Sequence, residues 1–269
     1  GEDIVNAFDG DDNVDGGALN DVLSGMNGND LLNGGIGDDI LQGGLDNDTL
    51  NGGTGNDNLA GEGGNDILHG DDGDDTLKGG AGNDTIDGDA GNDTFDVVGD
   101  VVGATDVDVL SGGIGNDTIV TAIIEGTAAT ISFDGGTGTD TVGAFGSLLG
   151  YTFSNIEVLD NRYLIRATAA QINQFALITD SYVNSDFTDI QVTTAGTIDF
   201  TGRLGAGVIK LHVQTAGLGN TITAGSGDDR IWAGTIGDGG LGSFFYGKGG
   251  NDDLRGGSGN DFLEGGLGN

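Results

Sequence analysis

The first 96 residues repeat every nine residues without an insertion or a deletion. From Ala7 to Asp96 the frames read AFDGDDNVD, GGALNDVLS, GMNGNDLLN, GGIGDDILQ, GGLDNDTLN, GGTGNDNLA, GEGGNDILH, GDDGDDTLK, GGAGNDTID and GDAGNDTFD. The six residues before Ala7 match the end of one more frame. Neither the helical period nor simple strand alternation produces a nine-residue repeat, so the pattern indicates a solenoid built from one small unit per frame.

Three positions within the frame keep their chemical character. The eighth is always apolar, from Val5 to Phe95, and the fifth is Asn or Asp in every frame except the first, which has Glu2. The sixth is always Asp, at Asp3, Asp12, Asp21, Asp30, Asp39, Asp48, Asp57, Asp66, Asp75, Asp84 and Asp93. Glycine recurs at positions one, two and four, where we expect positive φ angles and close backbone approach. One apolar residue per frame predicts a short strand with a single inward side chain.

This pattern resembles the nonapeptide repeat G-G-x-G-x-D-x-U-x of the RTX (repeats-in-toxin) family. The resemblance covers the first third of the chain closely and returns near its C-terminus. It implies an all-β fold, a parallel β-roll or β-solenoid, in which two frames complete one coil. The first six residues of each frame would form a turn that binds calcium, and the last three a short strand.

Stacked coils would place the sixth-position aspartates in two columns. Unit charges ~4.8 Å apart, the spacing of paired strands, repel by about 1 kcal/mol in water and by roughly 3.5 kcal/mol at an effective dielectric constant of 20. A hard divalent cation held by carboxylate and backbone carbonyl oxygens would remove this repulsion. Multiple calcium ions are therefore the predicted cofactor, and without them we expect the segment to be disordered.

The charge of the chain limits its partners. The formal net charge is −36, and more than half of the 44 acidic residues lie in residues 1–96, which contain Lys78 as their one basic residue. Nucleic acid and anionic membrane surfaces are unsuited to this charge. The chain has no cysteine, and it contains no apolar stretch long enough to suggest membrane insertion.

The repeat becomes irregular after residue 96, which predicts three segments: a β-roll over 1–96, an irregular β-rich, solenoid-like region over 97–214, and a second β-roll block over 215–269. Isolated frames in the middle segment carry Asp108, Asp117 and Asp140 at position six. One short helix is predicted near 169–177. Thr168 and Gln171 have the capping-box spacing there, and Ile172, Phe175 and Ala176 would share one face.

Frames resume from residue 215, with Asp229, Asp252 and Asp261 at position six. Asn220 and Ser243 occupy that position in two other frames, and we expect these substitutions to weaken or abolish calcium binding. The predicted metal ligands are therefore the eleven aspartates of the first segment together with Asp108, Asp117, Asp140, Asp229, Asp252 and Asp261.

Other kinds of site fit the sequence less well. An EF-hand would need Gly at loop position six and Glu at position twelve, and a phosphate-binding loop would need G-K-[ST], and neither occurs. His69 and His212 are predicted to be structural, because no Ser, Cys or second His lies at an informative spacing. The aromatic cluster at Trp232 and 244–246 is predicted to cap or fill the core, with a carbohydrate- or protein-contacting patch as the alternative.

The leading hypothesis is a non-enzymatic, calcium-stabilised segment of a large secreted or cell-surface bacterial protein, such as an adhesin or an S-layer-like protein. The alternative is a non-catalytic accessory module of a secreted RTX enzyme, for instance a protease, lipase or alginate epimerase. A β-helical polysaccharide enzyme within 97–214 is a third, weaker interpretation. The resemblance implies type I secretion and an extracellular location, with cell-surface polysaccharide or neighbouring copies as possible partners. Because the array begins and stops mid-frame, we expect the chain to be part of a longer one.

Overall fold

The computed structural model describes the chain in eight ranges, 1–97, 106–123, 130–179, 188–203, 211–215, 219–233, 242–257 and 259–268. The regular structure in these ranges is nearly all β-strand. Contacts divide the chain into two compact units, one of Gly1–Val142 with Gly150–Ile156 and one of Gly143–Leu149 with Glu157–Asn269. The three segments predicted from the repeat register describe sequence blocks, and that division stays a prediction.

The strands of the repeat array and the region after it are numbered in chain order. They are β1 (Ile4–Asn6), β2 (Asn13–Ala18), β3 (Val22–Asn27), β4 (Leu31–Ile36), β5 (Ile40–Leu45), β6 (Thr49–Thr54), β7 (Asn58–Gly63), β8 (Ile67–Asp72), β9 (Thr76–Ala81), β10 (Thr85–Asp87), β11 (Thr94–Asp96), β12 (Val107–Ser111), β13 (Thr118–Ile123), β14 (Thr130–Asp134), β15 (Thr141–Ser147) and β16 (Tyr151–Ser154). The remaining strands are β17 (Val158–Ala167), β18 (Leu177–Thr179), β19 (Thr188–Val192), β20 (Thr197–Asp199), β21 (Leu211–Thr215), β22 (Thr221–Thr223), β23 (Arg230–Ala233), β24 (Phe244–Tyr246), β25 (Asp253–Arg255) and β26 (Phe262–Glu264).

Within the first unit every strand pairs in parallel with the strand two places along the chain. The odd-numbered strands from β1 to β13 form one sheet, and the even-numbered strands from β2 to β16 form the other. In the repeat array the pairing joins residues 18 apart, as in Leu23↔Leu41 and Leu32↔Leu50. Two nine-residue frames therefore complete one coil, and the predicted parallel β-roll is confirmed.

The strands of the array are longer than predicted. β2 to β9 each contain six residues, running from position seven of one frame through position three of the next. They extend because the glycine-rich backbone also joins the ladder, as in Gly35↔Gly53. Glycines at positions two and four have the expected positive φ angles, for example Gly53 at 109° and Gly55 at 132°.

The eighth-position side chains fill the interior of the first unit. Leu23, Leu32, Leu41, Leu50, Leu59, Leu68 and Leu77 are fully buried, as is Phe95. Val5 and Val14 of the first coil are half-buried. Beyond the array the core combines aliphatic and aromatic side chains, and the ring centroids of Phe95, at the end of the array, and Phe133 lie 5.2 Å apart. Two columns of eighth-position side chains, one from each sheet, thus form the apolar core of the array, with one residue per frame as the repeat predicts.

In the second unit the odd-numbered strands from β17 to β25 form a parallel sheet, in which each strand pairs with the next odd-numbered strand. β18 also pairs with β17. The strands β20, β22, β24 and β26 form a separate four-stranded sheet. The core of the second unit includes side chains from both sheets, among them Ile190, Ile198, Ile222, Ile231 and Phe245. The predicted irregular β-rich region is therefore again built from parallel ladders.

The predicted helix is present but shorter than expected. It is α1 (Ala169–Ile172), and Thr168 and Gln171 make both hydrogen bonds of a capping box. The prediction that Ala176 lies on the buried face is wrong. The helix ends before that residue, so Ile172 and Phe175 are buried whereas Ala176 is exposed.

The guanidinium of Arg203 closes the C-terminal end of this helix. Its Nη2 donates to the carbonyl oxygens of Ile172 and Phe175, the latter at 2.6 Å, and its Nε donates to Phe175 O at 3.0 Å. These bonds satisfy carbonyls that a helix end leaves unpaired. Across the part of the chain that the structure describes, no helix has the length and hydrophobicity needed to cross a membrane.

Candidate metal centre

The sixth-position aspartates stack in two columns along the first unit. In each column the backbone N–H of one aspartate donates to the Oδ1 atom of the aspartate one coil further on, for example from Asp21 to Asp39 at 2.7 Å and from Asp48 to Asp66 at 2.8 Å. The first column contains Asp3, Asp21, Asp39, Asp57, Asp75 and Asp93. The second contains Asp12, Asp30, Asp48, Asp66 and Asp84.

Both columns continue beyond the regular array. Asp84 N–H donates to Asp108 Oδ1 at 3.0 Å, and Asp93 N–H donates to Asp117 Oδ1 at 2.8 Å, each across 24 residues. Asp117 N–H then donates to Asp140 Oδ1 at 2.8 Å across 23 residues. The carboxylate register is therefore kept in coils that are longer than 18 residues.

These carboxylates are buried, and one oxygen of most of them has no hydrogen-bond partner. The nine aspartates from Asp21 to Asp93 are at most 3% exposed, whereas Asp3 is exposed and Asp12 is half-buried. Unpaired, buried Oδ2 atoms belong to Asp12, Asp21, Asp30, Asp39, Asp48, Asp57, Asp66, Asp75, Asp93 and Asp117. A buried acceptor without a donor is costly, and a row of them calls for a proton or a cation.

The first-position glycines make room for these oxygens. A Cβ atom added at Gly34 would lie 2.5 Å from Asp39 Oδ2 and 2.6 Å from the carbonyl oxygen of Gly52, one coil further on. Gly16 and Gly52 show the same arrangement with their own neighbours. Gly34 and its equivalents have no positive φ angle. They are required for space, and each brings a carboxylate oxygen and a carbonyl oxygen close together.

Burial and mutual repulsion make the stacked carboxyl groups hard to ionise. Burial raises the pKa of Asp66 to about 7, with a further increase from the charges of Asp84 and Asp48. Burial also raises the pKa of Asp75 to about 7, and the charge of Asp57 adds to it. The N–H donor from the preceding coil lowers each pKa but does not cancel these effects.

A second ladder joins the fifth-position side chains. The Oδ1 atom of each Asn or Asp accepts the backbone N–H of the fifth residue one coil further on, as in Asn47 to Asn65 at 2.6 Å and Asn56 to Asp74 at 2.9 Å. This ladder is exposed and runs in the opposite direction to that of the aspartate columns. Sequence reasoning assigned no role to position five, although its restriction to Asn and Asp was the signal.

In the second unit the columns are short and partly substituted. Asp229 N–H donates to Asp252 Oδ1 at 3.0 Å, and Ser243 N–H donates to Asp261 Oδ1 at 2.8 Å. Asn220 is fully buried at the sixth position of its frame, where both polar side-chain atoms are buried without a hydrogen bond. Asp252 and Asp261 are only half-buried. The structure therefore stacks two of the predicted ligands, Asp229 and Asp252, on each other, whereas it stacks Asp261 on Ser243.

The aromatic residues of this unit divide between the core and the surface. Phe245 is fully buried, as the prediction that the cluster fills the core requires, but Phe244 is 46% exposed. Trp232 lies outside the core, where the guanidinium of Arg255 stacks 4.3 Å from its ring centroid. The side chain of His212 lies outside the described residues.

A parallel β-roll with stacked carboxylates and close carbonyl oxygens in its turns defines a class of repeat proteins that bind cations between their coils. The family model described as the RTX calcium-binding nonapeptide repeat matches this chain over residues 1–23, 15–50, 24–59, 42–77, 60–95, 101–122, 216–235 and 238–269. These matches cover more than half of the chain, which therefore belongs to the RTX calcium-binding repeat family. A comparison with curated proteins finds no match. The chain is a calcium-binding repeat module, and this repeat is structural and not catalytic by itself.

Proposed function

We propose that the sixth-position aspartates hold calcium ions between successive coils and that, at neutral pH, the protein folds only when these ions are bound. The observation that carries the proposal is the stack of buried Oδ2 atoms in each column that accept no hydrogen bond. From the second aspartate of each column onward, the Oδ1 atom is already used in the ladder, so Oδ2 is the acceptor available to a ligand. A Cβ atom added at Gly34 would lie close to both Asp39 Oδ2 and the carbonyl oxygen of Gly52, so these glycine carbonyls are candidate further ligands.

Calcium suits this donor set better than other common cations. It takes six to eight oxygen ligands from carboxylates, backbone carbonyls and water, and it tolerates irregular geometry. Zinc and other transition metals favour nitrogen and sulfur ligands, which the columns do not supply. Calcium would supply the positive charge that the stacked carboxylates need, and the chain would supply the oxygens at fixed spacing.

The number of ions follows from the number of gaps between coils. Six stacked aspartates leave five gaps and five leave four, so about nine sites fit residues 1–96. We propose further sites at Asp108, Asp117 and Asp140, and fewer or weaker ones around Asp229, Asp252 and Asp261. Anomalous scattering from a calcium-loaded crystal would count and place the ions, and ions found only outside the columns would contradict the proposal.

We further propose that folding is coupled to export, as part of a secreted or cell-surface protein with an adhesin-like or S-layer-like role. RTX repeat proteins are typically secreted by the type I route. The roughly 10⁻⁴–10⁻³ M affinities typical of extracellular modules match extracellular calcium, whereas cytosolic calcium is far too low to fill such sites. An unfolded chain suits passage through a narrow export channel, and folding would follow outside.

A calcium titration followed by circular dichroism tests the folding proposal. In excess chelator the spectrum should be that of an expanded coil, and a β-sheet signal should rise steeply near millimolar calcium because stacking is cooperative between neighbouring coils. Magnesium serves as the matched ion, since it requires near-ideal octahedral geometry and gives up its water reluctantly. A complete β-sheet signal in chelator, or equal folding with magnesium, would refute the proposal.

A further inference from the structure

A second group of metal-ligating side chains lies outside the aspartate columns. His69, Asp87 and Asp89 each offer one ligand atom, and these three atoms lie within 4.8 Å of one another. His69 Nδ1 is 3.6 Å from Asp89 Oδ2. All three side chains are half-buried, so they are accessible to a dissolved ion.

The coil geometry brings these residues together from distant places in the sequence. His69 ends its frame on β8 and pairs directly with Asp87 on β10, one coil further on. Asp89 follows two residues later, in the turn. The ninth position of this sheet carries Asp15, Asn33 and Asn51 in the preceding coils, where Asn51 Nδ2 donates to Asn33 Oδ1 at 2.7 Å. At His69 the row of amide groups is replaced by an imidazole next to a carboxylate.

The ligand set differs in kind from that of the columns. One imidazole nitrogen and two carboxylate oxygens suit borderline divalent transition metals such as Zn²⁺ and Cu²⁺, whereas the columns offer only oxygen. Asp71 and Asp72 follow His69 in the same coil and add negative charge beside the group. A dication would be attracted there, and three protein ligands leave coordination positions for water or for a ligand from a partner.

We propose that His69, Asp87 and Asp89 form a binding site for a single divalent transition-metal ion, separate from the calcium sites. The ligands come from two successive coils, so the site exists only when those coils are stacked. The proposal goes beyond the calcium-binding function and does not use any sixth-position aspartate. The frame spacing alone did not reveal it, because the histidine and its carboxylates belong to different coils.

The test uses the whole chain folded in about 10 mM calcium, a concentration chosen to fill sites of extracellular affinity. Isothermal titration calorimetry with zinc should give a stoichiometry of one. Copper electron paramagnetic resonance should show the hyperfine pattern of one coordinated imidazole nitrogen. The variants His69→Gln, Asp87→Asn and Asp89→Asn should each weaken zinc binding by about tenfold or more, the range seen when groups that support a metal are removed.

Two control variants show whether zinc binds at His69 or elsewhere on the chain. Asp15→Asn removes the same charge as Asp87→Asn at the same frame position of the same sheet, and His212→Gln removes the other histidine of the chain. Both should change the zinc affinity less than about twofold, since neither contributes a ligand. Circular dichroism of each variant in calcium shows whether it folds. If calcium proves unnecessary for folding, the zinc titration is repeated without calcium. Failure of the calcium proposal can then be told apart from failure of the zinc proposal.

Three results would overturn the proposal. The first is the absence of zinc binding by the folded wild-type chain at about 100 μM metal, a concentration that would half-fill even a weak site with a Kd of about 100 μM. The second is unchanged affinity in folded His69→Gln. The third is loss of the imidazole signal in His212→Gln.

Discussion

Replacing Gly61 with alanine tests whether the carboxylate columns depend on close packing at the first position. A Cβ atom at Gly61 would contact Asp66 Oδ2 and would lie 2.5 Å from the carbonyl oxygen of Gly79. Neither neighbour can move freely. Asp66 Oδ1 is held by the N–H of Asp48 at 2.8 Å, and the Gly79 carbonyl belongs to β9 of the next coil.

The expected cost follows from overpacking. Forcing one extra methyl group into a well-packed site typically costs about 1–3 kcal/mol. Displacement of the Asp66 carboxylate would also weaken the two calcium sites that it faces. A loss of about 1–3 kcal/mol lowers the ratio of folded to unfolded protein by about 5- to 150-fold and the thermal midpoint by roughly 2–4 °C for each kcal/mol.

Gly63→Ala is the matched control, because it changes the same residue type in the same strand. A Cβ atom there meets nothing closer than Leu45 Cδ2 at 3.8 Å, and Gly63 has no positive φ angle. Replacing such a glycine stabilises by about 0.4–1 kcal/mol through the unfolded chain. At fixed calcium, the thermal midpoint of Gly61→Ala should therefore lie below that of the wild type, and the midpoint of Gly63→Ala should lie above it. Equal midpoints for Gly61→Ala and Gly63→Ala would show that the close approach plays no part.

Three further predictions address the column, the core and the proton. Asp75→Ala should lower calcium affinity and destabilise the fold by about 1–3 kcal/mol, since it leaves a buried N–H unpaired, whereas exposed Asn58→Ala should leave the calcium titration unchanged. Leu59→Ala should cost about 2–5 kcal/mol in denaturant unfolding at fixed calcium, and Ile67→Ala, whose side chain is 42% exposed, clearly less. In chelator, acidification from neutral pH to below about 5 should increase the β-sheet circular dichroism signal, because the pKa of Asp66 is raised to about 7 in the folded coil. An apo spectrum that stays unfolded throughout this range would contradict the last prediction.

The sequence predicts the array in detail because its constraints are local and repeated. One apolar residue at position eight and one aspartate at position six, every nine residues, leave little choice about which side chains face the core and which face the turn. The capping box at Thr168 follows from spacing alone, whereas the pairing of Leu23 with Leu41 also needs the two-frame coil that the family resemblance implies. The stacking order of the aspartates needs only the further knowledge that two frames make one coil.

Features that depend on contacts between coils could not be predicted in the same way. The role of Gly34 is set by the carbonyl of Gly52, 18 residues away. The sequence predicted both a positive φ angle and a close backbone approach at this position, and the structure shows the close approach without the positive φ angle. Ala176 follows the helical period but is exposed, because the helix ends at Ile172. The grouping of His69 with Asp87 likewise requires the register of β8 and β10.

At neutral pH a sixth-position carboxyl group can be in one of three states: protonated in the folded coil, ionised beside a cation in the folded coil, or ionised in the unfolded chain. The balance among these states determines how the stability of the fold responds to acid. In the folded coil Asp93 can bind a proton, because burial raises its pKa to about 7. Alternatively its ionised Oδ2 atom can face a cation. In the third case the coil unfolds, and the pKa of Asp93 returns towards 3.8. Stability contributed by the proton is therefore present in full below pH 3.8 and is lost as the pH rises through about 7. Because proton and calcium compete for the same oxygen, acid should weaken calcium binding while reducing the need for calcium in folding. Calcium that merely screened an acidic surface would not produce a protonated, folded coil, so these opposite effects distinguish specific columns from general charge neutralisation.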